Sequence, residues 1–127
     1  MKKIFLIATI LLLLFFSVSI GQSSSCVENI EAKFTITSWS QEYLEYLEYW
    51  SYVEIWYDVT NTGNVDIDFY YVYFDVTCED GSVFHDYTCD FGPKEGKTYS
   101  RYTIVDTAYK KATNVAIVDY ELEVWDF

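Results

Sequence analysis

From Ile30 the chain alternates apolar and polar residues: Ile30, Ala32, Phe34 and Ile36 share one face, and Glu31, Lys33, Thr35 and Thr37 the other. An amphipathic helix would repeat its apolar residues every three to four positions, so a period of two predicts a half-buried strand. Over residues 51–60 the alternation returns, with Val53, Ile55, Tyr57 and Val59 inward and Tyr52, Glu54, Trp56 and Asp58 outward. It stops at Asn61-Thr62-Gly63-Asn64, residue types that tolerate the left-handed backbone of a turn. A third run, 67–78, places Tyr70, Val72, Phe74, Val76 and Cys78 on one side. Glu79-Asp80-Gly81-Ser82 follows, and Asp-Gly between alternating runs is a strong hairpin signal. The return strand covers residues 82–89, Gly92-Pro93-Lys94-Glu95-Gly96 predicts a loop, and 98–105 reads as a further strand. The last strand, 114–125, is expected to turn Ala116, Val118, Tyr120, Leu122 and Val124 inward and Asp119, Glu121 and Glu123 to water.

Strict alternation fails over 41–50, where Tyr43, Tyr46 and Tyr49 recur every third residue. That spacing predicts a helical or irregular excursion joining the first two strands, with an extended connector as the alternative. Six to seven strands with turns at short intervals describe an all-β fold, a two-sheet immunoglobulin-like β-sandwich of antiparallel strands. An α/β arrangement would need helices between the strands, and the pattern offers one candidate at most.

The first residues follow another logic. Lys2 and Lys3 precede an apolar run over 4–16, broken by Thr9, and Ser19-Ile20-Gly21 sets small residues at −3 and −1 of a cut before Gln22. This is the layout of a secretory signal helix. Even taken as far as Ile20, the stretch sits at the lower edge of the ~17–25 residues that span a bilayer, so a retained anchor is the weaker reading. A lipid on Cys26 fits less well, because Ser23-Ser24-Ser25 stand where a lipoprotein signal wants a Leu-like residue. The expected organisation is a signal peptide over 1–21, a polar tether over 22–29 and the sandwich over 30–127.

Between Val53 and Tyr102 the order of motifs resembles a known group. A strand ends in Asn61-Thr62-Gly63, a later one ends Val72-Tyr73-Phe74-Asp75-Val76-Thr77-Cys78-Glu79-Asp80-Gly81, and Gly92-Pro93-Lys94-Glu95-Gly96 leads into Tyr99-Ser100-Arg101-Tyr102. This resembles the FxLYD-type domains and, more broadly, the late-embryogenesis-abundant-14-like (LEA14-like) and CARDB-like immunoglobulin-type sandwiches of exported prokaryotic proteins. Cys78-Glu79 stands where that group has Tyr-Asp. The resemblance implies two-sheet topology and an adhesive, spacer or ligand-presenting role, with no catalytic set to carry over.

Charge narrows the partners. Twenty acids against eight Lys and Arg give a net charge of −12, and removing 1–21 takes two lysines away. Such a surface repels phosphate backbones and anionic lipid, which argues against nucleic acid and leaves membrane contact to the N-terminal segment alone, if retained.

Three cysteines leave one over after a single bridge. Sequence proximity favours Cys78–Cys89 as a disulfide. A two-residue Asp80-Gly81 turn would set Cys78 opposite Val83 and Cys89 opposite Val72, ~20 Å away, so that bridge requires the return strand to bend after His85. Cys26–Cys89 and Cys26–Cys78 are the competing pairs. His85 with Asp86 and Asp90 is the one histidine–carboxylate cluster, without a nucleophile or further metal ligands flagged beside it. Asp66, Asp68, Asp75, Asp80, Asp86 and Asp90 lack the regular loop spacing of a calcium site. We therefore expect no cofactor, no metal and no enzymatic activity.

Aromatic residues carry the remaining signal: 13 Tyr, 9 Phe and 4 Trp exceed what two inner faces can bury. The expected binding surface is Trp39, Tyr43, Tyr46, Tyr49, Trp50, Tyr52 and Trp56, joined by outward Tyr71 and Tyr73. Exposed rings mark protein interfaces; beside carboxylates they also suit sugars. The sequence thus points to an exported, non-enzymatic module for protein interaction or cell-surface structure, with homo-oligomerisation through edge strands open to it. A small carbohydrate-binding module is the alternative.

Overall fold

Alternation in two strands decides where the core lies. The computed structural model describes residues 2–6 and 27–126. Its strands are β1 (Lys2–Leu6), β2 (Ala32–Ser40), β3 (Tyr43–Leu44), β4 (Tyr49–Trp50), β5 (Val53–Asn61), β6 (Phe69–Cys78), β7 (Val83–Phe91), β8 (Thr98–Val105) and β9 (Ala112–Trp125). Val53, Ile55, Tyr57 and Val59 of β5 and Tyr70, Val72, Phe74, Val76 and Cys78 of β6 are all buried, as their spacing predicts. Each is an interior strand: β5 lies between β2 and β8, and β6 between β9 and β7 in a four-stranded sheet whose other edge is β1. Every pairing is antiparallel, and no helix occurs among the described residues.

The two inner faces meet in one core, to which each fully buried apolar side chain contributes about 1.5–3 kcal/mol. Phe34 of β2 packs against Tyr70 and Tyr120 from the other sheet, at ring-centroid distances of 5.3 and 4.8 Å. At the centre the buried hydroxyls of Tyr57 and Tyr70 share a 2.8 Å hydrogen bond between the sheets. Burial pushes both hydroxyls above their ordinary pKa, because an ionised phenolate there would lose its hydration.

The motif turns act as pins. Buried Asn61 donates through Nδ2 to the carbonyls of Val65 (2.7 Å) and Pro93 (3.0 Å), while its Oδ1 accepts from the Gly63 N–H at 2.9 Å. One side chain thereby ties the Asn61-Thr62-Gly63 turn to the Gly92–Gly96 loop. Gly63 is required there: a Cβ would stand 2.0 Å from the Asn29 carbonyl oxygen.

Four sequence expectations need correction. Residues 41–50 are not helical but form a small hairpin of β3 and β4, closed by a Leu44–Glu48 turn in which Glu48 has φ of 57°. The Gln41 amide explains the preference, since its Nε2 reaches the carbonyls of Ser51 and Lys110 and its Oε1 accepts from Ala112 N–H. These bonds clamp the hairpin base to the β8–β9 connection. In β9, Val118 is the extra residue of a β-bulge between Asp119, opposite Tyr73, and Ile117, opposite Phe74. The bulge shifts the alternation, so Val115 and Ile117 turn inward and Val118 is exposed.

The third correction concerns the β6–β7 hairpin. Its loop is the three residues between Cys78 and Ser82, whose backbones are bonded at 2.8 Å, with Gly81 at φ of 89°, and the register pairs Thr77 with Val83 and Tyr71 with Cys89. A one-residue slip reverses the face of every side chain. Cys78 therefore lies buried inside while Cys89 is exposed outside, roughly 23 Å apart along the strand at ~3.3 Å per residue. Both are free thiols, so the Cys78–Cys89 disulfide does not form. Last, Lys2–Leu6 is a strand running antiparallel to Glu121–Trp125 of β9, where a signal helix was expected. The rest of that apolar stretch, Cys26 and the start of the tether lie outside the described residues.

Candidate functional site

The outer face of the β9-β6-β7 sheet is a grid set by register. Odd-numbered residues of β6 point outward: Phe69, Tyr71 and Tyr73, then Asp75. Across β7 they meet Phe91, Cys89, Tyr87 and His85, and across β9 the first three meet Glu123, Glu121 and Asp119. Glu121 and Asp119 thus flank the aromatic column, with a mixed third column beyond it, while Glu123, expected to face water, is buried.

The rings touch in an unbroken series. Trp125, Phe91 and Phe69 lie mutually within 5.6–6.5 Å between centroids. Phe69 continues to Tyr71 at 5.5 Å, Tyr71 to Tyr87 at 6.3 Å and Tyr87 to Tyr73 at 5.9 Å. Tyr87 and Phe91 remain 57% and 61% exposed, so this ladder is a surface and not a second core. At its lower end Tyr73, Asp75, His85, Tyr87, Val118 and Asp119 line an open depression of about 370 Å³. His85 Nδ1 lies 2.6 Å from Asp75 Oδ1, while Asp86 and Asp90 accept from the Tyr87 and Phe91 N–H groups of their own strand. Partial burial pushes the Tyr73 hydroxyl above its ordinary pKa, and the Glu121 carboxylate beside it adds to the shift.

The residues expected from the sequence to form one surface are dispersed. Trp39 packs against the core. Tyr43 and Trp50 pair across the hairpin at 5.1 Å, and Tyr49 meets Tyr109 at 4.4 Å. Ala108 and Tyr109 carry φ of 55° and 67° in the turn that supports this cluster. Tyr52 is exposed beside it, and Tyr46 projects from the hairpin tip. Trp56 lies on the outer face of the other sheet, 5.3 Å from Tyr102, whose hydroxyl donates to Glu54 at 3.1 Å.

The ladder itself draws on residues that the sequence reading left unassigned, namely Phe69, Tyr87, Phe91 and Trp125. The signal that finds them is the hairpin register, because β7 has no clear alternation of its own. Cys89 stands exposed among these rings, whereas burial raises the Cys78 thiol pKa and keeps it unreactive. Among the described residues no group of three or more His, Cys, Asp or Glu side chains is placed to hold a metal ion. No protein family, no curated protein and no solved structure matches this chain.

Proposed function

We propose that this chain is an exported, non-enzymatic module for protein interaction or surface structure, and that its contact surface is the outer face of the β9-β6-β7 sheet. The observation that carries this reading is the six-ring ladder over three strands, rimmed by carboxylates. Contiguous rings on an outer face, here two exposed and four half-buried, mark interfaces. An immunoglobulin-like sandwich related to the FxLYD-type domains accommodates the same role, since Asn61 and the Gly92–Gly96 loop use their motif residues to hold backbone. In this reading 1–21 is the export signal, and its removal opens the β9 edge that Lys2–Leu6 covers.

A photo-cross-linking amino acid at position 87 in the full chain, produced in cells, tests the surface. A discrete adduct at 87 and none at position 98 of the opposite sheet is the expected result. Equal labelling at both positions, or none at 87, counts against the proposal. The carbohydrate alternative rests on Trp56 and Tyr102 beside Glu54, but these rings are inclined by 52°, where sugar stacking favours coplanar rings.

A further inference from the structure

Three times the molecule builds the same unit from a ring, a carboxylate and a cation. Arg101 sits 4.7 Å over Tyr99 and 3.1 Å from Asp90 Oδ2. Lys110 sits 5.8 Å over Phe84 and 2.8 Å from Asp80. Lys111 sits 5.5 Å over Trp50 and 3.6 Å from Glu79. In each case the ring face and the carboxylate attract one cation together. On the outer face of β9-β6-β7 the first two parts recur: Tyr71 and Tyr73 stand in register with Glu121 and Asp119. The ion pairs among the described residues engage Asp75, Glu79, Asp80 and Asp90, and leave Asp119 and Glu121 without a cation.

We infer that this part of the face receives Arg or Lys side chains from an extended segment of a protein partner. Alternate residues of an extended strand repeat at ~6.6–6.8 Å, and the Tyr71 and Tyr73 rows repeat at the same interval because they belong to one strand. The fitting partner therefore carries cations two residues apart, Arg-x-Arg or Lys-x-Lys. Arg is the better occupant, since its planar guanidinium stacks on a ring while bonding a carboxylate. A net charge of −12 steers such a segment inward, and Phe69, Phe91 and Trp125 offer an apolar continuation of the track.

This inference rests on the interaction reading above and is tested separately from it. The full chain carrying Cys26→Ser keeps Cys89 as its one exposed thiol among the described cysteines. Acetylated Arg-Thr-Arg-Thr-Arg is titrated in while the rate of Cys89 alkylation by iodoacetamide is followed. Saturable binding that slows alkylation about fivefold or more is expected, weakened about tenfold by Asp119→Asn with Glu121→Gln and about threefold by Tyr73→Leu. Glu54→Gln with Asp58→Asn on the other sheet should leave the affinity unchanged. Equal loss in that control means diffuse attraction to an acidic protein, and overturns the inference. So does binding without protection of Cys89, or protection by a neutral oligosaccharide in place of the peptide. If the peptide fails while position 87 still cross-links in cells, the surface stands and only the cationic partner falls.

Discussion

The two sheets obey the same alternation yet present opposite outer faces. On β2-β5-β8 the outward residues of β8 are Thr98, Ser100, Tyr102 and Ile104, and hydroxyls link the strands: Thr60 to Thr98 and Ser100 to Asp58. One ring pair, Trp56 with Tyr102, interrupts this solvated surface. On β9-β6-β7 the equivalent positions hold the ring ladder. Period-two patterning therefore specifies which side is inside, and leaves the chemistry of the outside unconstrained. The inner positions answer to the core, whereas the outer ones are free to serve a partner.

Neighbouring tyrosines on β6 provide the strongest way to break that contrast. Tyr70→Ala should destabilise by about 3–5 kcal/mol, because it empties the core and strands the Tyr57 hydroxyl. Tyr71→Ala, one residue on but outward, should cost less, about 1–3 kcal/mol from its two ring contacts. Urea denaturation measures both, and equal losses would mean that the ladder is part of the core.

Alkaline titration probes the same partition. In the folded chain, burial holds the hydroxyls of Tyr57 and Tyr70 protonated well above their ordinary range. Unfolded, they ionise near pH ~10. Stability is thus complete below about pH 10 and falls as pH rises beyond it, since the unfolded chain releases protons that the folded chain keeps. Absorbance at 295 nm with far-ultraviolet circular dichroism should show the last tyrosines ionising together with loss of sheet. Ionisation of all 13 with the sheet intact would contradict the buried pair.

A smaller effect separates the outer faces from each other. Phe69 meets Tyr71, Phe91 and Trp125, whereas Trp56 has a single ring neighbour, Tyr102. At about 0.5–1.5 kcal/mol for each aromatic pair, Phe69→Ala should cost more than Trp56→Ala, by roughly 1–3 kcal/mol. Thermal unfolding of the two variants decides it, and a larger loss at Trp56 would reverse the assignment of the richer face.

Much of this was legible along the chain, in uneven degree. The inward residues of β5 and β6 follow from alternation alone, because a central strand has one buried face and no freedom of phase. The turns at Asn61-Thr62-Gly63 and Gly92–Gly96 were equally visible, although nothing local revealed that the Asn61 side chain joins them. The candidate site was far less so. Tyr71 and Tyr73 read as outward, but their neighbours on β7 depend on whether the hairpin loop has two residues or three.

What the amino-acid order determined by itself is therefore the all-β class, the main strands and the buried residues of β5 and β6, since burial of alternating residues is a property of each segment. The tertiary structure alone decided the fate of the cysteines, the bulge at Val118, the hairpin that Gln41 clamps and the gathering of rings from three strands. Each of these rests on register between segments distant in sequence, where a slip of one residue carries every side chain of a strand to the opposite face.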